Sequence, residues 1–270
     1  MKCITALSEF VVGVIGMGKG IRLPSLFLTA VVGLVLGVTT PAARGAELSE
    51  AELFFELNDT DGDLGIHSSI DGGPYVLLEI NNPADQTIFI VKAQGRLAAQ
   101  GLTQLFLESA EPPFDKLAPE VFFNRFPEGE YEIEATNRKG VEFGATVKLS
   151  QVLAAPVDNV TVNGVEAAED CDDPNLPIVS KPITIDWDPV TTSHPEIGKS
   201  GPVEIVRYQF FVEQGEDLKF GVDLPPTQTK FRVPSEIIAL GNKNEPFKFE
   251  IIARTADLNN TAIENCFLVQ

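Results

Sequence analysis

Apolar and polar residues alternate within the segment KPITIDWDPV, residues 181–190, and do so strictly from Ile183 to Asp188. In an extended chain this alternation places Ile183, Ile185 and Trp187 on one face and polar side chains on the other. Pro189 has no amide hydrogen to donate to a neighbouring strand, so the ladder should end there. The pattern predicts a β-strand whose tryptophan lies at the centre of a small β-sandwich core.

Similar patterns fill the rest of the second half of the chain. A strand over 206–212 places Tyr208, Phe210 and Val212 on one side, and Asn163-Gly164 is the dipeptide most typical of a two-residue β-hairpin turn. Ser235 can cap a short helical turn. Further strands are predicted at Leu218–Leu224, Thr229–Val233, Phe247–Ala253 and Thr261–Val269.

The first half, residues 51–153, shows shorter apolar runs between turn-forming residues. Its clearest pattern is a hairpin over 130–149, preceded by EGEY, which resembles the tyrosine corner of immunoglobulin-like sandwiches and gives Tyr131 that role. Helical turns are predicted after Pro119, whereas LTQLFLES, residues 102–109, fits either a strand or a helix. Strands are predicted at Leu53–Leu57, Tyr75–Ile80 and Thr87–Val91, and a loop at 58–65.

Several of these segments together resemble a fibronectin type III domain over residues 155–270. They are the tryptophan strand ending in proline, RYQFFVE (207–213), TKFRVP (229–234) and PFKFEIIART (246–255). The resemblance implies an extracellular spacer or binding module and not a catalyst. Phe247 stands where that family usually has a corner tyrosine, so this hydroxyl bond should be missing.

The predicted fold class is therefore all-β, with two β-sandwich domains in tandem. Residues 47–153 form the first and resemble an immunoglobulin-like sandwich of a secreted bacterial protein of unknown function. Residues 154–270 form the second, which resembles fibronectin type III.

Residues 1–46 have the features of a secretory signal peptide. The apolar run Leu26–Val38 follows Lys19 and Arg22 and precedes the small residues PAARGA. It is shorter than the roughly 20 residues that a membrane-spanning helix needs. Cleavage after Gly45 or Ala46 would place the mature N-terminus near Glu47, and translation from Met1 or from Met17 are both compatible with this pattern. The predicted location is secreted, periplasmic or on the cell surface, with no membrane span in the mature chain.

The chain is strongly acidic. Its 270 residues include 20 Lys and Arg and 39 Asp and Glu, giving a net charge of −19. Residues 1–46 hold four of the basic residues and one of the acidic ones, so the charge without them becomes −22. Such a surface repels nucleic acids and anionic lipids. The predicted partners are proteins or carbohydrates.

Cysteine usage predicts one disulfide. Removal of the signal peptide takes away Cys3 and leaves Cys171 and Cys266. Two cysteines in an exported domain are typically bridged. In a fibronectin-like sandwich the two segments that carry them lie at the same flank.

The sequence DTDGD contains the candidate metal ligands Asp59, Asp61 and Asp63, whose alternate spacing is typical of calcium loops. It resembles the start of an EF-hand loop but has Leu64 at the sixth position and Ile70 at the twelfth, where that loop needs glycine and glutamate. The alternative is a turn rich in Asx residues that needs no metal. No other cofactor is predicted.

No catalytic sequence motif is present, and the two histidines do not suffice for a zinc site. Phe54, Phe211 and one of Phe122 and Phe123 fall out of step with the inward alternation. They are either exposed for stacking on a ligand or covered by the neighbouring domain, and the second interpretation is favoured.

These observations predict an exported, non-catalytic binding or structural module of the cell envelope or extracellular space. One alternative is a calcium-stabilised module that recognises carbohydrate or protein. A rival from another class is a secreted hydrolase that uses paired carboxylates, since such pairs meet in space and need no local motif.

Overall fold

The computed structural model describes residues 47–270, so the predicted signal peptide lies outside the described residues. The described chain consists of β-strands with three short helices. In the first half these are β1 (Leu48–Asn58), β2 (Asp63–Tyr75), β3 (Leu77–Asn81), β4 (Thr87–Lys92), α1 (Gly95–Gln100), β5 (Leu102–Glu108), α2 (Pro119–Arg125), β6 (Gly129–Thr136) and β7 (Glu142–Leu149). In the second half they are β8 (Thr161–Val162), β9 (Val165–Glu166), β10 (Ile178–Val179), β11 (Thr184–Asp186), β12 (Ile205–Gln214), β13 (Leu218–Leu224), β14 (Lys230–Arg232), α3 (Ser235–Leu240), β15 (Phe247–Thr255) and β16 (Asn260–Val269).

The strands form two sandwiches that share one large sheet, with strand order β13-β12-β15-β16-β1-β2-β5 and β10 added beside β16. A four-stranded sheet, β4-β3-β6-β7, packs on the β1-β2 side through a core that includes Phe55, Tyr131 and Ile133. A second four-stranded sheet, β14-β11-β8-β9, packs on the β12-β15-β16 side around Trp187 and Phe210. The predicted all-β fold with two sandwiches is confirmed.

The two sandwiches meet where β1 runs parallel to β16, with Glu56 opposite Asn260 and Asn58 opposite Ala262. Beyond that pair, the Thr60 hydroxyl accepts a hydrogen bond from the Glu264 amide at 2.9 Å. Ala168 then bridges Cys266, and β10 pairs with the end of β16. Three separate segments thus cover the edge of β16, and the shared sheet is continuous from one sandwich to the other.

The segment between the sandwiches is bonded to the shared sheet. Asn259, which is fully buried, donates from its side-chain amide to the carbonyls of Ser150 at 2.8 Å and Val152 at 3.0 Å, and its Oδ1 accepts the Phe55 amide at 2.9 Å. The Thr261 hydroxyl donates to the Ala154 carbonyl at 2.9 Å. Residues 150–154 are therefore held in place, while the predicted domain division at 153/154 stays a prediction.

Most of the predicted strands are present, because each has one face in a core. Trp187 is 2% exposed, and Asn163 and Gly164 take the positive φ values of a tight hairpin turn. The Tyr131 hydroxyl donates to the Pro127 carbonyl at 3.0 Å, as expected for a tyrosine corner. In the second sandwich Phe247 is buried against Phe267, with ring centroids 5.6 Å apart.

Two details of the predicted elements are wrong. The residues assigned to a loop at 58–65 include the start of β2, whose central residues His67, Ser68 and Ser69 are polar yet buried, so the strand shows no apolar alternation. Ser235 does not cap α3, because Pro234 occupies the N-cap position and the cap makes no side-chain hydrogen bond. The ambiguous segment at 102–109 contains strand β5.

Candidate functional site

The DTDGD segment forms the tight turn between β1 and β2. Asn58 Oδ1 accepts the amide of Asp61 at 3.2 Å, and Gly62 supplies the positive φ that the turn requires. Asp59 Oδ1 lies 3.0 Å from Nε2 of His194, a residue of the second sandwich. Asp63 is already the first residue of β2. These are the contacts of an Asx-rich turn that also bridges the two sandwiches.

The three aspartates do not converge on one point. Within residues 47–270 no group of three or more His, Cys, Asp or Glu side chains is placed to hold a metal ion. Calcium binding at this turn stays a prediction with a simple check. If calcium stabilises the turn, a chelator should lower the melting temperature, and Asp61→Ala should abolish that response.

A carboxylate cluster lies where β1, β2, β15 and β16 of the shared sheet meet the loop after β5. Its members are Glu56, Asp63, Glu111, Glu250 and Glu264. Burial, followed by the charges of Glu111 and Asp61, raises the pKa of Asp63 to about 7. Burial, followed by the charges of Glu56 and Glu264, raises the pKa of Glu250 to about 8. Both carboxyls therefore stay protonated up to a much higher pH than ordinary acidic side chains do.

Cations and amides compensate part of this negative charge. Lys248 Nζ lies 3.0 Å from carboxylate oxygens of both Glu264 and Glu213. Burial alone would lower the pKa of Lys248, but the charge of Glu264 and the hydrogen bonds to it outweigh burial and raise that pKa. The Asn260 amide donates to Glu56 at 2.7 Å. The cluster thus combines residues of β1, β2, β15 and β16 with Glu111 of the loop after β5, and it spans the line where the sandwiches join.

His67 is a further titratable group that the fold buries beside this cluster. Its Nε2 lies 2.7 Å from Glu111 Oε1. Burial opposes protonation of the imidazole, but the hydrogen bond to Glu111 and the surrounding carboxylates outweigh it, and the pKa of His67 is raised. The imidazolium form is therefore favoured by its acidic surroundings.

A cavity of about 1000 Å³, here called the junction cavity, lies between the turn at Asp59–Thr60 and loops of the second sandwich. Ile263 and Asn265 of β16 form part of its wall. Asn265 is 5% exposed, and its Oδ1 has no hydrogen-bond partner among the described residues. The carboxylates that line the cavity are Asp59, Asp158, Glu166, Glu169 and Asp188.

The predicted disulfide is present. Cys171 is bonded to Cys266, with the two Cα atoms 5.2 Å apart. The backbones of Ala168 and Cys266 also bridge each other, so the loop that carries Cys171 lies directly against β16. This supports the expectation drawn from the cysteine count.

The aromatic residues that fall out of step are mostly covered. Phe54 is 4% exposed, and the Arg254 guanidinium of the second sandwich lies over its ring at 4.7 Å. Phe122 and Phe123 are buried against Phe55 of their own sandwich. Phe211 is partly buried, with the Lys219 ammonium 5.5 Å from its ring centroid. The interpretation that a neighbouring domain covers such residues is confirmed for Phe54, and no exposed stacking platform is found among these four.

Comparison with solved structures finds β-domains with low sequence identity. The chain is similar to a two-domain fibronectin type III segment of chicken tenascin, with 12% identity, TM-score 0.29, and coverage of 82% of this chain and 98% of that one. It is also similar to a tetra-tandem repeat from the extending region of a large adhesion protein, with 11% identity, TM-score 0.27 and coverage of 82% and 50%. A third similar structure belongs to a 1.5-MDa bacterial ice-binding adhesin, with 11% identity, TM-score 0.23 and coverage of 82% and 65%.

Neither protein-family models nor curated proteins add to this comparison. No family model matches the sequence, and no curated protein matches it. Likeness at these TM-scores says nothing about what the chain binds. Among residues 47–270, no helix is both long and apolar enough to cross a membrane.

The residues that sequence patterns missed are the buried amides. Asn259 and Asn265 belong to no motif, and the alternation in 261–269 gives no sign of what their side chains contact. The side-chain hydrogen-bond partners of Asn259 lie more than a hundred residues away in the sequence. Asn265 Oδ1 has no hydrogen-bond partner within the described chain. A polar residue inside an otherwise apolar strand face was the one available signal, and it applies only to Asn265.

Proposed function

We propose that the chain is an exported, non-catalytic module that serves as a structural or binding element of the cell envelope or extracellular space. The observation that carries this proposal is the parallel pairing of β1 with β16, which joins two sandwiches in one sheet. Asn259 adds hydrogen bonds to both the intervening segment and β1. An arrangement without a free linker suits a protein that must hold a surface in a fixed orientation.

The rival hypothesis of a carboxylate-dependent hydrolase rests on Asp63 and Glu250, whose pKa values are raised to about 7 and about 8. A catalytic pair also needs a cleft that admits substrate. Neither residue lines the junction cavity or the smaller cavity of about 540 Å³ beside Gly72–Pro74. The contacts therefore favour an electrostatic role within the sheet over a catalytic one.

Within the binding hypothesis, a protein partner has more support than a carbohydrate. Sugar rings are typically held by stacking on exposed aromatic faces. Of the aromatic candidates from the sequence, Phe54, Phe122 and Phe123 are buried and Phe211 is partly buried. A protein partner needs no such platform, because charge complementarity can position one on an acidic surface.

The proposal predicts that both sandwiches unfold as one unit. In urea, Trp187 fluorescence reports on the second sandwich, and hydrogen exchange of the β6 and β7 amides reports on the first. We expect the two signals to give the same midpoint and the same free energy of unfolding. Two separated transitions would show that the shared sheet does not couple the sandwiches.

Export is checked on the same preparation by intact mass, which should place the N-terminus near Glu47.

A further inference from the structure

We propose that the junction cavity is a binding site for an organic cation, which means a primary ammonium or guanidinium group. This inference rests on the proposed binding role and specifies the ligand class for one site. Three observations carry it: the carboxylates that line the cavity, the hydrogen bonds that position two of them, and a polar atom in the cavity wall that has no hydrogen-bond partner within the described chain.

The lining of the cavity has one sign of charge. Five carboxylates line it, and no Lys, Arg or His is among its lining residues. Asp158 and Asp188 are held by one residue, because the Asn159 backbone amide donates to Asp158 Oδ1 at 2.7 Å and its side-chain amide donates to Asp188 Oδ2 at 2.7 Å. Two acidic side chains are therefore positioned at the rim before any ligand arrives.

The wall of the cavity contains a polar group that lacks a partner. Asn265 is 95% buried, and within the described chain nothing donates a hydrogen bond to its Oδ1. A buried carbonyl without a donor costs stability, so an apolar residue would be more stable at this position. Because this oxygen is enclosed in the wall, a ligand that donates N–H groups would remove that cost once the Asn265 side chain turns towards the cavity.

The same lining argues against other ligand classes. Anions would be repelled by the carboxylates. The lining includes no aromatic residue on which a sugar ring could stack. Divalent metals have no set of three ligands within residues 47–270. Val157, Val160 and Val190 can instead pack against an aliphatic stem, such as that of a lysine side chain or a polyamine.

The chemistry of the cavity is the same for a Lys or Arg side chain on a partner protein and for a free polyamine. Two probes separate these sources: spermidine, and a capped seven-residue Gly/Ser peptide with one central arginine. Each is titrated into the ¹⁵N-labelled exported protein at low salt while amide chemical shifts are recorded. We expect saturable shifts confined to the cavity, including Thr60, Ala167 and the Asn265 side chain. Tighter binding of the peptide assigns the site to a protein partner, and tighter binding of spermidine assigns it to polyamines.

Matched variants separate this site from the general acidity of the surface. Glu166→Gln with Asp188→Asn should weaken binding by about tenfold, equivalent to about 1.4 kcal/mol. The control, Glu132→Gln with Glu142→Gln on the β6-β7 sheet, changes the charge by the same amount and should leave the affinity within about twofold. Asn265→Leu should weaken binding without lowering the melting temperature.

Three results would overturn the proposal: no saturable shifts with either probe at millimolar concentration, shifts spread over the whole surface, or equal losses in the cavity and control variants. The urea experiment on the two sandwiches does not depend on the cavity. Absence of binding together with a single unfolding transition would therefore refute the cavity site and leave the structural module intact.

Discussion

Asn259 shows how one side chain can connect distant parts of this chain. Both polar atoms of its side chain are used inside the protein, by the carbonyls of Ser150 and Val152 and by the amide of Phe55. Its side chain joins the turn before β16, the segment between the sandwiches, and β1. A buried amide with three satisfied bonds both stabilises and orients the groups that it touches.

We expect Asn259→Ala to lower the free energy of unfolding by about 2–4 kcal/mol, because it leaves two buried backbone groups and one part-buried group without these partners. Urea denaturation followed by Trp187 fluorescence measures the change. The matched control is Asn244→Ala at an exposed turn position, which should change stability by less than about 0.5 kcal/mol. An equal effect of both substitutions would contradict the role given to Asn259.

Glu250 gives the protein a pH dependence whose sign can be worked out. Its pKa is raised to about 8 in the folded protein and has the ordinary glutamate value in the unfolded chain. Between these two pKa values the folded state therefore binds more protons than the unfolded state does. Stability from this residue is therefore complete below about pH 4 and is lost as the pH rises through 8.

We expect Glu250→Gln to raise the free energy of unfolding at pH 8 by about 1–3 kcal/mol, since it removes a buried charge next to Glu56 and Glu264. The gain should shrink towards pH 4, where the wild-type carboxyl is protonated in both states. Melting temperatures from pH 4 to 9 measure the effect, with Glu142→Gln as the exposed control. A gain that is independent of pH would rule out this origin.

At the scale of single elements, the strands that could be predicted are those with one buried and one wet face. Tyr131, Ile133 and Ala135 of β6 alternate with glutamates because a core lies on one side and solvent on the other. The polar strand β2 could not be recognised, because Ser68 and His67 are covered by neighbours that are distant in sequence. Local patterns report local burial and not the partners that cause it.

The disulfide could be predicted from the sequence, whereas the junction cavity could not. The Cys171–Cys266 pair could be predicted because only two cysteines remain in the mature chain. The junction cavity could not, because its walls combine the turn after β1 with loops near 158, 167 and 190 and with β16. Spacing along the chain carries no information about such a combination.

The disulfide connects two elements, because it links the loop before β10 to the last strand, β16. The two cysteines are 95 positions apart. In the chain-entropy model a loop of that size stabilises the folded state by roughly 4–5 kcal/mol, and measured values are often lower. We expect Cys171→Ser with Cys266→Ser to lower the melting temperature markedly. Thiol titration of the denatured, non-reduced wild type should find no free thiols, and two thiols per chain would contradict the bridge.

For the whole molecule, the main finding is that the two sandwiches are not independent units on a string. Neighbouring domains in tandem usually meet through small interfaces and move relative to each other. Here β1 and β16 exchange backbone hydrogen bonds, and Arg254 of β15 pairs with Glu52 of β1 at 2.6 Å. Motion between the sandwiches would have to break a sheet, so we expect their orientation to be fixed.

The parallel pairing of β1 and β16 also determines how the protein responds to mechanical load. Tension applied between Leu48 and Val269 would pull the two paired strands past each other along their length, so that their hydrogen bonds resist together. Tension between Gly129 and Leu149, which face each other at one end of the β6-β7 hairpin, would instead open bonds one at a time. In single-molecule pulling we expect the first geometry to rupture at clearly higher force, and equal forces would contradict it. With the disulfide intact, the 94 residues between Cys171 and Cys266 cannot extend, which at about 3.4 Å per residue shortens the stretched chain by about 320 Å.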